Sequence, residues 1–295
     1  MIMVAPLIVE AAINGTTRPA DHPGVPTTAA RQVEDALACV AAGATVVHQH
    51  DDPAACARGG AAGMAALSAA VYRAVLAREP GALLYPTANF ALGPAGIPMW
   101  EHHERLAADG LIRLAVFDPG AVALGRAGPD GIPGGGLVYG NSPADLAHIA
   151  ARCAALGLGP SVAIFEPGFL RTLLAYHRAG RLPPGAFVKL YFGAPSRPFG
   201  LPPTPASLDV YLELMGDAAA ELSWGVAVLG GDVVASGLAE AAIRRGGHVR
   251  VGLEDHAGPG APGNAEQVAA VAALAAAHGR PTATPAQAAA ILGLP

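Results

Sequence analysis

Two histidines one residue apart are the side chains of this sequence whose type and spacing most directly indicate chemistry. His48 and His50 end the apolar run 44–50, which predicts a buried β-strand. Because side chains alternate between the two faces of a strand, both imidazoles are expected on one face. Two neutral imidazoles placed in this way are typical of a catalytic zinc site. An ordinary strand end, with Asp51 and Asp52 making turn contacts, is the alternative.

A second group of polar side chains lies in residues 248–255. Alternation predicts that Arg250, Gly252 and Glu254 share one face, with Glu254 at the exit of the last strand. A carboxylate there would complete a metal site of two histidines and one carboxylate, with open positions for water or substrate. Asp255 beside Arg250 is either part of an ordinary buried ion pair or a base that the neighbouring cation keeps ionised.

These side chains need a scaffold, and short apolar strands alternate with Ala-rich helical segments along the whole sequence. The predicted strands are 6–13, 44–50, 82–87, 111–117, 161–165, 186–192, 223–229 and 247–253. The predicted helices are 28–42, 62–78, 98–109, 143–156, 168–179, 206–219, 233–245, 264–277 and 285–292. This alternation is typical of a (β/α)8 TIM barrel, and no linker or shift in composition divides residues 1–295 into more than one domain.

Three long segments follow predicted strands, namely 14–27, 118–142 and 193–205. Connections that follow the strands of such a barrel lie at its C-terminal face, where barrel enzymes carry their active sites. We therefore expect these extended loops to form a pocket wall or a lid. Tolerated surface loops rich in Gly and Pro are the alternative.

The composition argues against several classes of protein. The 18 Lys and Arg against 23 Asp and Glu give a net charge of −5 without a basic stripe, which argues against nucleic-acid binding. Mean hydropathy is +0.39, yet no uninterrupted apolar run approaches the ~18–20 residues of a membrane span. Three widely separated cysteines indicate neither a zinc knuckle nor a disulfide framework. The N-terminal segment has no Lys or Arg before its apolar stretch, so we expect no signal peptide and a cytoplasmic location.

Several longer motifs together resemble one known family. They are AAINGTT near the N-terminus, VPTTAARQVEDALACVAAGATVVHQH, GGHVRVGLEDH followed by an AEQV helix, and the terminal GRPTATPAQAAAILGLP. These motifs resemble those of the β-keto acid cleavage enzymes, typified by 3-keto-5-aminohexanoate cleavage enzyme. The resemblance covers essentially the whole chain, and the GGHVRVGLED motif is highly specific.

The resemblance implies a metal-dependent barrel that condenses a β-keto acid with acetyl-CoA, its co-substrate, to give acetoacetate and a new CoA thioester. It implies that Zn²⁺, or another divalent metal, is held by His48, His50 and Glu254. Arg250 and Asp255 match the Arg–Asp pair that the family uses for proton abstraction and charge stabilisation. A homo-oligomer, a tetramer in the family, is also implied.

The residues that bind substrate in the family are matched less completely in this sequence. Glu166 matches a glutamate that the family often has at the exit of the fifth strand. The family has a run of hydroxyl-bearing residues after the third strand, and in this sequence only Thr87 matches it. Asn14 begins a loop that lacks the family's amine-reading glutamate, so we expect a β-keto acid with a neutral or polar distal group rather than an ammonium. Asp118 replaces a neutral amide of the family and is expected to cap its loop.

Two other functions stay open at this point. The same metal would suit a zinc hydrolase, although amidohydrolase-type barrels carry the histidine pair on the first strand. A non-catalytic metal-binding relative is the other alternative. Glu10, Lys189 and the turn 230–232 have ambiguous roles, because each would serve structure and substrate binding equally well.

Overall fold

Eight parallel strands form the centre of the molecule, whose computed structural model describes residues 5–90, 97–258 and 260–294. The strands are β1 (Val9–Ala12), β2 (Val46–Gln49), β3 (Leu83–Pro86), β4 (Leu114–Val116), β7 (Gly159–Ile164), β8 (Phe187–Gly193), β9 (Ser223–Leu229) and β10 (His248–Val251). They pair in the order β3-β2-β1-β10-β9-β8-β7-β4, and β3 lies beside β4, so the sheet curls into a nearly closed barrel. The predicted (β/α)8 TIM barrel is confirmed.

Helices connect the barrel strands and cover the outside of the sheet. They are α1 (Ala29–Ala41), α2 (Pro53–Leu76), α3 (His102–Ala108), α4 (Pro143–Leu156), α5 (Pro167–Arg178), α6 (Pro205–Met215), α7 (Ala218–Glu221), α8 (Leu238–Arg244), α9 (Asn264–Ala277) and α10 (Pro285–Leu292). Capping fixes several of their boundaries. Ser142 and Asp145 form a capping box at the start of α4, and Thr284 and Gln287 form another at the start of α10.

Some predicted helix boundaries were wrong for local reasons. The predicted helix 62–78 begins at Pro53, because the Asp52 side chain accepts from the N–H of Ala55 and caps it. The predicted helix 206–219 is interrupted at Gly216, which separates α6 from α7. The predicted helix 98–109 divides into a short 3-10 helix at Ile97–Met99 followed by α3.

The segment 118–142 contains a β-hairpin that the sequence analysis treated only as a loop. Its strands β5 (Ala121–Ala127) and β6 (Pro133–Gly140) pair antiparallel, with a register irregularity between Leu124 and Arg126. Gly136 has φ +79°, and a Cβ there would lie 1.8 Å from the carbonyl oxygen of Leu124. Only glycine therefore fits this crossing. The hairpin lies against the barrel mouth, as expected for a pocket wall.

The opposite end of the barrel is closed by α10. Leu292 and Ala288 of this helix pack against inward-facing residues of the strands, among them Ile8, Leu114 and Phe187. This apolar plug fills the lower barrel, so the polar side chains of the interior lie above it, towards the C-terminal face.

One helix is long and apolar enough to cross a membrane by length and composition alone, namely α2 with 24 residues. Arg58 and Arg73 interrupt the apolar sequence of this helix, so the expectation that no uninterrupted apolar run approaches that length is not contradicted. Gly60 interrupts the helix with φ +57°. One face, including Met64, Ser68 and Tyr72, is buried in the fold, as in the core helix of a barrel.

Candidate active site

Two histidines and a carboxylate converge at the C-terminal end of the barrel. His48 lies on β2, His50 directly follows β2, and Glu254 lies in the turn after β10. Nε2 of His48 is 3.4 Å from Oε2 of Glu254, and Nε2 of His50 is 3.5 Å from Oε1. The three potential ligand atoms all lie within 4.8 Å of one another. The structure thus brings together the three side chains that were expected to hold a metal.

Two glycines allow Glu254 to face the histidines. Gly252 has φ +137°, and a Cβ there would lie 2.1 Å from the carbonyl oxygen of Ala12. Gly15 has φ +54°, and its Cβ would lie 2.3 Å from Cγ of Glu254. Any side chain at either position would displace β1 or the carboxylate itself.

The three donors suit a divalent cation. Burial lowers the pKa of His48 well below its ordinary value, which keeps the ring neutral with a lone pair to donate. Burial acts to raise the pKa of Glu254, but Arg250 and the two histidines hold it well below the ordinary value. Oε2 of Glu254 is buried and accepts no hydrogen bond from the described residues.

Charge balance around the triad supports the same fit. The carboxylates in or beside the barrel mouth are those of Glu10, Asp118, Glu254 and Asp255. They are opposed by two buried cations, Lys189 and Arg250. Arg126 and Arg197 also line the cavity, but they are exposed and half-buried, respectively. Among the buried groups, a divalent ion at the triad would offset the excess of negative charge, which is costly to bury without compensation.

Arg250 connects the triad to the neighbouring carboxylates. Its Nε and Nη2 donate to both oxygens of Asp255 at 2.9 and 3.0 Å, which is a bidentate pair. Nη2 also lies 2.9 Å from Oε1 of Glu254, and Nη1 donates to Oε1 of Glu10 at 2.8 Å. Burial raises the pKa of Asp255 to about 6 although Arg250 opposes this. The Arg–Asp pair expected from the sequence is therefore formed beside the three candidate metal ligands.

Glu10 and Lys189 form the polar floor of the site. Nζ of Lys189 lies 3.4 Å from Oε1 of Glu10, and it donates to the hydroxyl of Tyr85 at 2.6 Å and to that of Ser161. Tyr85 in turn donates to Glu10 at 2.6 Å. Burial lowers the pKa of Lys189, and Glu10 opposes that shift. The two ambiguous residues are thus ion-pair partners, and both also bond to the Tyr85 hydroxyl.

A cavity of about 420 Å³ opens above this floor and reaches the triad. The hairpin supplies one wall through Leu124, Leu137 and Tyr139. Asp118 also lines the cavity, which corrects the expectation that it caps its loop. Its Oδ2 accepts from the Tyr139 hydroxyl at 2.6 Å and its Oδ1 from the N–H of Ala163 at 3.1 Å. The carboxylate thus fastens the hairpin to the barrel.

A second cavity of about 350 Å³ adjoins the first. Its lining includes Thr17, Asp255 and Gly258, and it shares Glu254 and Arg197 with the first cavity. The Glu254 carboxylate therefore lies at the border of two spaces, each large enough for part of a substrate. The arrangement suits a reaction between two molecules that meet at Glu254.

The three residues expected to bind substrate have different positions. Thr87 lines the larger cavity, as expected. Asn14 does not line either described cavity, and its amide instead forms hydrogen bonds with the backbone of His50. Glu166 is also outside both linings; its Oε1 accepts from the N–H of Gly200 at 3.0 Å. Of the three, only Thr87 contacts the space where substrate would bind.

Comparison with known proteins decides which family this arrangement represents. A profile of the family described as beta-keto acid cleavage enzyme matches residues 6–294. The chain belongs to the β-keto acid cleavage enzyme family. The resemblance noted from the motifs is confirmed, and the chain is an enzyme of this family.

Two curated relatives of this β-keto acid cleavage enzyme are each named for a reaction of a keto acid. The 3-oxoadipate:acetyl-CoA acetyltransferase of Cupriavidus necator is 31% identical over 301 residues, covering 99% of this chain and 96% of the relative. The 3-keto-5-aminohexanoate cleavage enzyme of Acetoanaerobium sticklandii is 28% identical over 301 residues, covering 98% of each chain. Their names specify different keto acids, so family membership alone does not identify the substrate.

Solved structures of other proteins have the same barrel fold as this chain. The apo structure of ObcA superposes with a TM-score of 0.66 at 20% identity, covering 92% of this chain and 66% of that one. A 3-dehydroquinate dehydratase from Geobacillus kaustophilus superposes with a TM-score of 0.52 at 12% identity, covering 93% of each chain. At these identities the likeness concerns the fold alone.

Sequence reasoning missed several residues of the family member's cavity. Tyr85 and Tyr191 line it, as do Arg126 and Arg197. The tyrosines occupy apolar strands, where they are indistinguishable from core residues by pattern. Arg126 lies on a hairpin that was treated as a loop, so nothing indicated which way it points.

Proposed function

We propose that this enzyme condenses a β-keto acid with acetyl-CoA, giving acetoacetate and a new acyl-CoA. The observation that carries the proposal is the convergence of His48, His50 and Glu254 beside the Arg250–Asp255 pair, in a chain of this family. The names of the acetyl-CoA-using relatives support the choice of co-substrate.

The triad would hold the metal that this reaction uses. Two imidazoles and one carboxylate are a donor set typical of catalytic zinc, which leaves room for substrate oxygen. When bound, Zn²⁺ would supply Lewis acidity to the keto carbonyl and positive charge opposite the substrate carboxylate. Arg250 holds the carboxylate of Glu254 in place through its Nη2 contact at 2.9 Å.

Asp255 is the residue that we assign to proton transfer. It accepts the proton from the carbon between the keto and carboxylate groups, and that carbon then attacks the acetyl carbonyl while the CoA thiolate leaves. The thiolate next attacks the original keto carbonyl, and the carbon–carbon bond breaks. The departing carbon takes back a proton to become acetoacetate. Arg250 keeps the Asp255 carboxylate oriented through both of its oxygens throughout.

The two adjoining cavities fit two substrates. We assign the keto acid to the cavity that contains Thr87 and the apolar wall, and the acetyl thioester to the cavity lined by Asp255. The reacting carbons would then meet beside Glu254, which lines both. Holding two reactants in one geometry is itself a large part of catalysis.

The proposal is tested with acetyl-CoA that carries ¹³C in its acetyl group. Purified enzyme is incubated with a panel of β-keto acids, and products are separated by liquid chromatography and mass spectrometry. We expect both ¹³C atoms in acetoacetate, and an unlabelled new acyl-CoA in equal amount. Labelled acetate, with no new thioester, would indicate a hydrolase instead. The absence of both products with every acid would contradict the proposal.

We further propose a homo-oligomer that acts in the cytoplasm. Exposed apolar side chains on the hairpin, Ile132 and Val138, are 65% and 68% exposed, and such residues are covered in many oligomers. Light scattering coupled to size-exclusion chromatography tests the oligomeric state, and a mass of one chain would contradict it.

A further inference from the structure

Two arginines lie at the border between the two cavities. Arg126 is on β5 and Arg197 is in the loop after β8, and both side chains line both cavities. The N–H of Ala127 donates to the carbonyl of Ser196 at 3.1 Å, which joins the two segments next to these arginines. The fold therefore holds two cations side by side at the mouth.

The position of Arg197 is fixed by its surroundings. Its own N–H donates to the carbonyl of Ala194 at 2.7 Å, and its carbonyl accepts from Phe199 at 2.8 Å. A Cβ at Gly230 would lie 2.7 Å from Cγ of Arg197, so the absence of a side chain at Gly230 allows this packing. Gly230 of the turn 230–232, whose role was ambiguous from the sequence, thus accommodates the arginine.

Neither guanidinium has an ion-pair partner within the described ranges. The acid that attracts both is Asp21, but its carboxylate already receives Nε and Nη2 of Arg18 at 3.0 and 3.2 Å. Burial and the charge of Arg126 both lower the pKa of Arg197. The other cations of the larger cavity, Lys189 and Arg250, form ion pairs with the carboxylate of Glu10. Two adjacent guanidiniums without an ion-pair partner among the described residues favour the binding of an anion between them.

We propose that Arg126 and Arg197 form an anion subsite for a second carboxylate, at the far end of the β-keto acid. The substrate class is then a β-keto dicarboxylic acid, an inference that rests on the proposed function. A guanidinium binds a carboxylate through two parallel N–H groups, which gives orientation as well as attraction. The keto end lies at the triad, and the far end reaches the arginines along the same cavity.

The phosphates of CoA are the other anions in the reaction. The pantetheine arm carries them well away from the thioester, whereas both arginines line the two cavities assigned to the reacting ends of the substrates. A cavity of about 420 Å³ suits a small acid rather than a nucleotide. The geometry therefore assigns the arginines to the keto acid.

The test compares two acids of equal chain length, 3-oxoadipate and 3-oxohexanoate, which differ in a terminal carboxylate against a methyl group. We expect the wild-type enzyme to have kcat/KM at least about tenfold higher for the dicarboxylate, the scale of one charge-assisted hydrogen bond. In Arg126→Gln and Arg197→Gln the ratio should fall towards one. Arg178→Gln, at the far end of α5, removes an exposed charge and should keep the ratio. Equal kcat/KM for both acids in the wild type would overturn the subsite.

Two further measurements separate the sources of failure. If the variants raise KM for acetyl-CoA but not for acetyl-pantetheine, which lacks the nucleotide phosphates, the arginines bind CoA and the subsite is wrong. Calorimetric binding of adipate against hexanoate requires no turnover, so it tests the subsite even if the proposed reaction fails. Tighter binding of adipate that is lost in both variants supports the subsite, and equal binding of the two acids contradicts it.

Discussion

Asn14 and His50 exchange two hydrogen bonds through one side-chain amide. Nδ2 of Asn14 donates to the carbonyl of His50 at 2.8 Å, and Oδ1 accepts from the His50 N–H at 2.8 Å. Asn14 is 6% exposed, so its side-chain amide is largely shielded from bulk water. The loop after β1 thereby fixes the backbone of a residue in the triad, and Asn14 is a positioning residue rather than a substrate contact.

Replacement of Asn14 should therefore weaken the metal site more than substrate binding. We expect Asn14→Ala to lower metal affinity by about 10–100-fold, which is the usual effect of removing a group that orients a metal ligand. Competition with a coloured chelator measures this affinity. The control is Asn141→Ala, whose amide donates to the carbonyl of Asp118 instead. A raised KM for the keto acid with unchanged metal affinity would favour a direct substrate contact.

The triad should hold one divalent metal per chain. We expect Zn²⁺ in protein purified without chelator, with metal–nitrogen distances near ~2.1 Å. His48→Ala, His50→Ala and Glu254→Gln should each lower the metal content, because three ligands are the minimum set here. His177→Ala, a histidine paired with Glu221 on the outer helices, is the control. Elemental analysis that finds no metal in the wild type would contradict the assignment.

The triad could be predicted from the sequence, whereas the contacts at the floor of the cavity could not, because they join residues far apart in the chain. His48, His50 and Glu254 are polar residues at strand exits, where period-two alternation and the barrel topology fix both their face and their end. Tyr85 lies in an apolar strand, and its role depends on Lys189, which is 104 residues away in the chain. Contacts of that separation follow from strand order and register, which single-strand patterns do not encode.

The sequence pattern was also insufficient to predict the structure at the mouth of the barrel. The pattern located the segment 118–142 at the C-terminal face correctly, but its Gly-rich composition gave no indication of a hairpin. The position of Glu166 at a strand exit suggested substrate contact, yet the exit turns it towards Gly200. Backbone geometry after a strand ends decides such cases, and it depends on neighbouring loops.

Replacement of Asp255 tests its assignment as the base. Asp255→Asn keeps the shape of the side chain but loses the basic oxygen, so turnover should fall by about 10²–10⁴-fold. Metal content and the circular dichroism spectrum should not change. Asp232→Asn is the control, because its carboxylate accepts from the turn N–H groups of Val234 and Ala235. Normal turnover of Asp255→Asn would place the base elsewhere.

The floor pair Glu10 and Lys189 should show strong coupling in stability. Lys189→Met leaves the buried Glu10 with only Arg250 as its cationic partner, so we expect a loss of about 3 kcal/mol in the free energy of unfolding. The double variant Glu10→Gln with Lys189→Met removes both charges and should recover most of that loss. Urea unfolding with chelator present measures the wild type, the single variants Glu10→Gln and Lys189→Met, and the double variant. A loss in the double variant equal to the sum of the two single-variant losses would show that the two charges are independent.

The last prediction concerns substrates that carry an ammonium. A buried ammonium needs a carboxylate partner, and Asp118 is the acid that lines the larger cavity beyond the triad. Both of its oxygens already accept hydrogen bonds, from Tyr139 and from the backbone of Ala163. Burial also raises its pKa, although Tyr139 and Lys189 oppose this. Asp118 is therefore a poor partner for an amine.

The enzyme should accordingly reject 3-keto-5-aminohexanoate relative to 3-oxohexanoate, which has the same chain length. We expect kcat/KM to be lower by at least about tenfold for the aminated acid, since one uncompensated charge costs more than 1.4 kcal/mol. Asp118→Asn should leave that ratio within about twofold, because the carboxylate serves the hairpin and not the amine. Thermal unfolding of the same variant should occur at a lower temperature, since Tyr139 and Ala163 lose a charged acceptor. The wild type would contradict this prediction if it preferred the aminated acid and Asp118→Asn did not. The Asp118 carboxylate would then be the group that binds the ammonium.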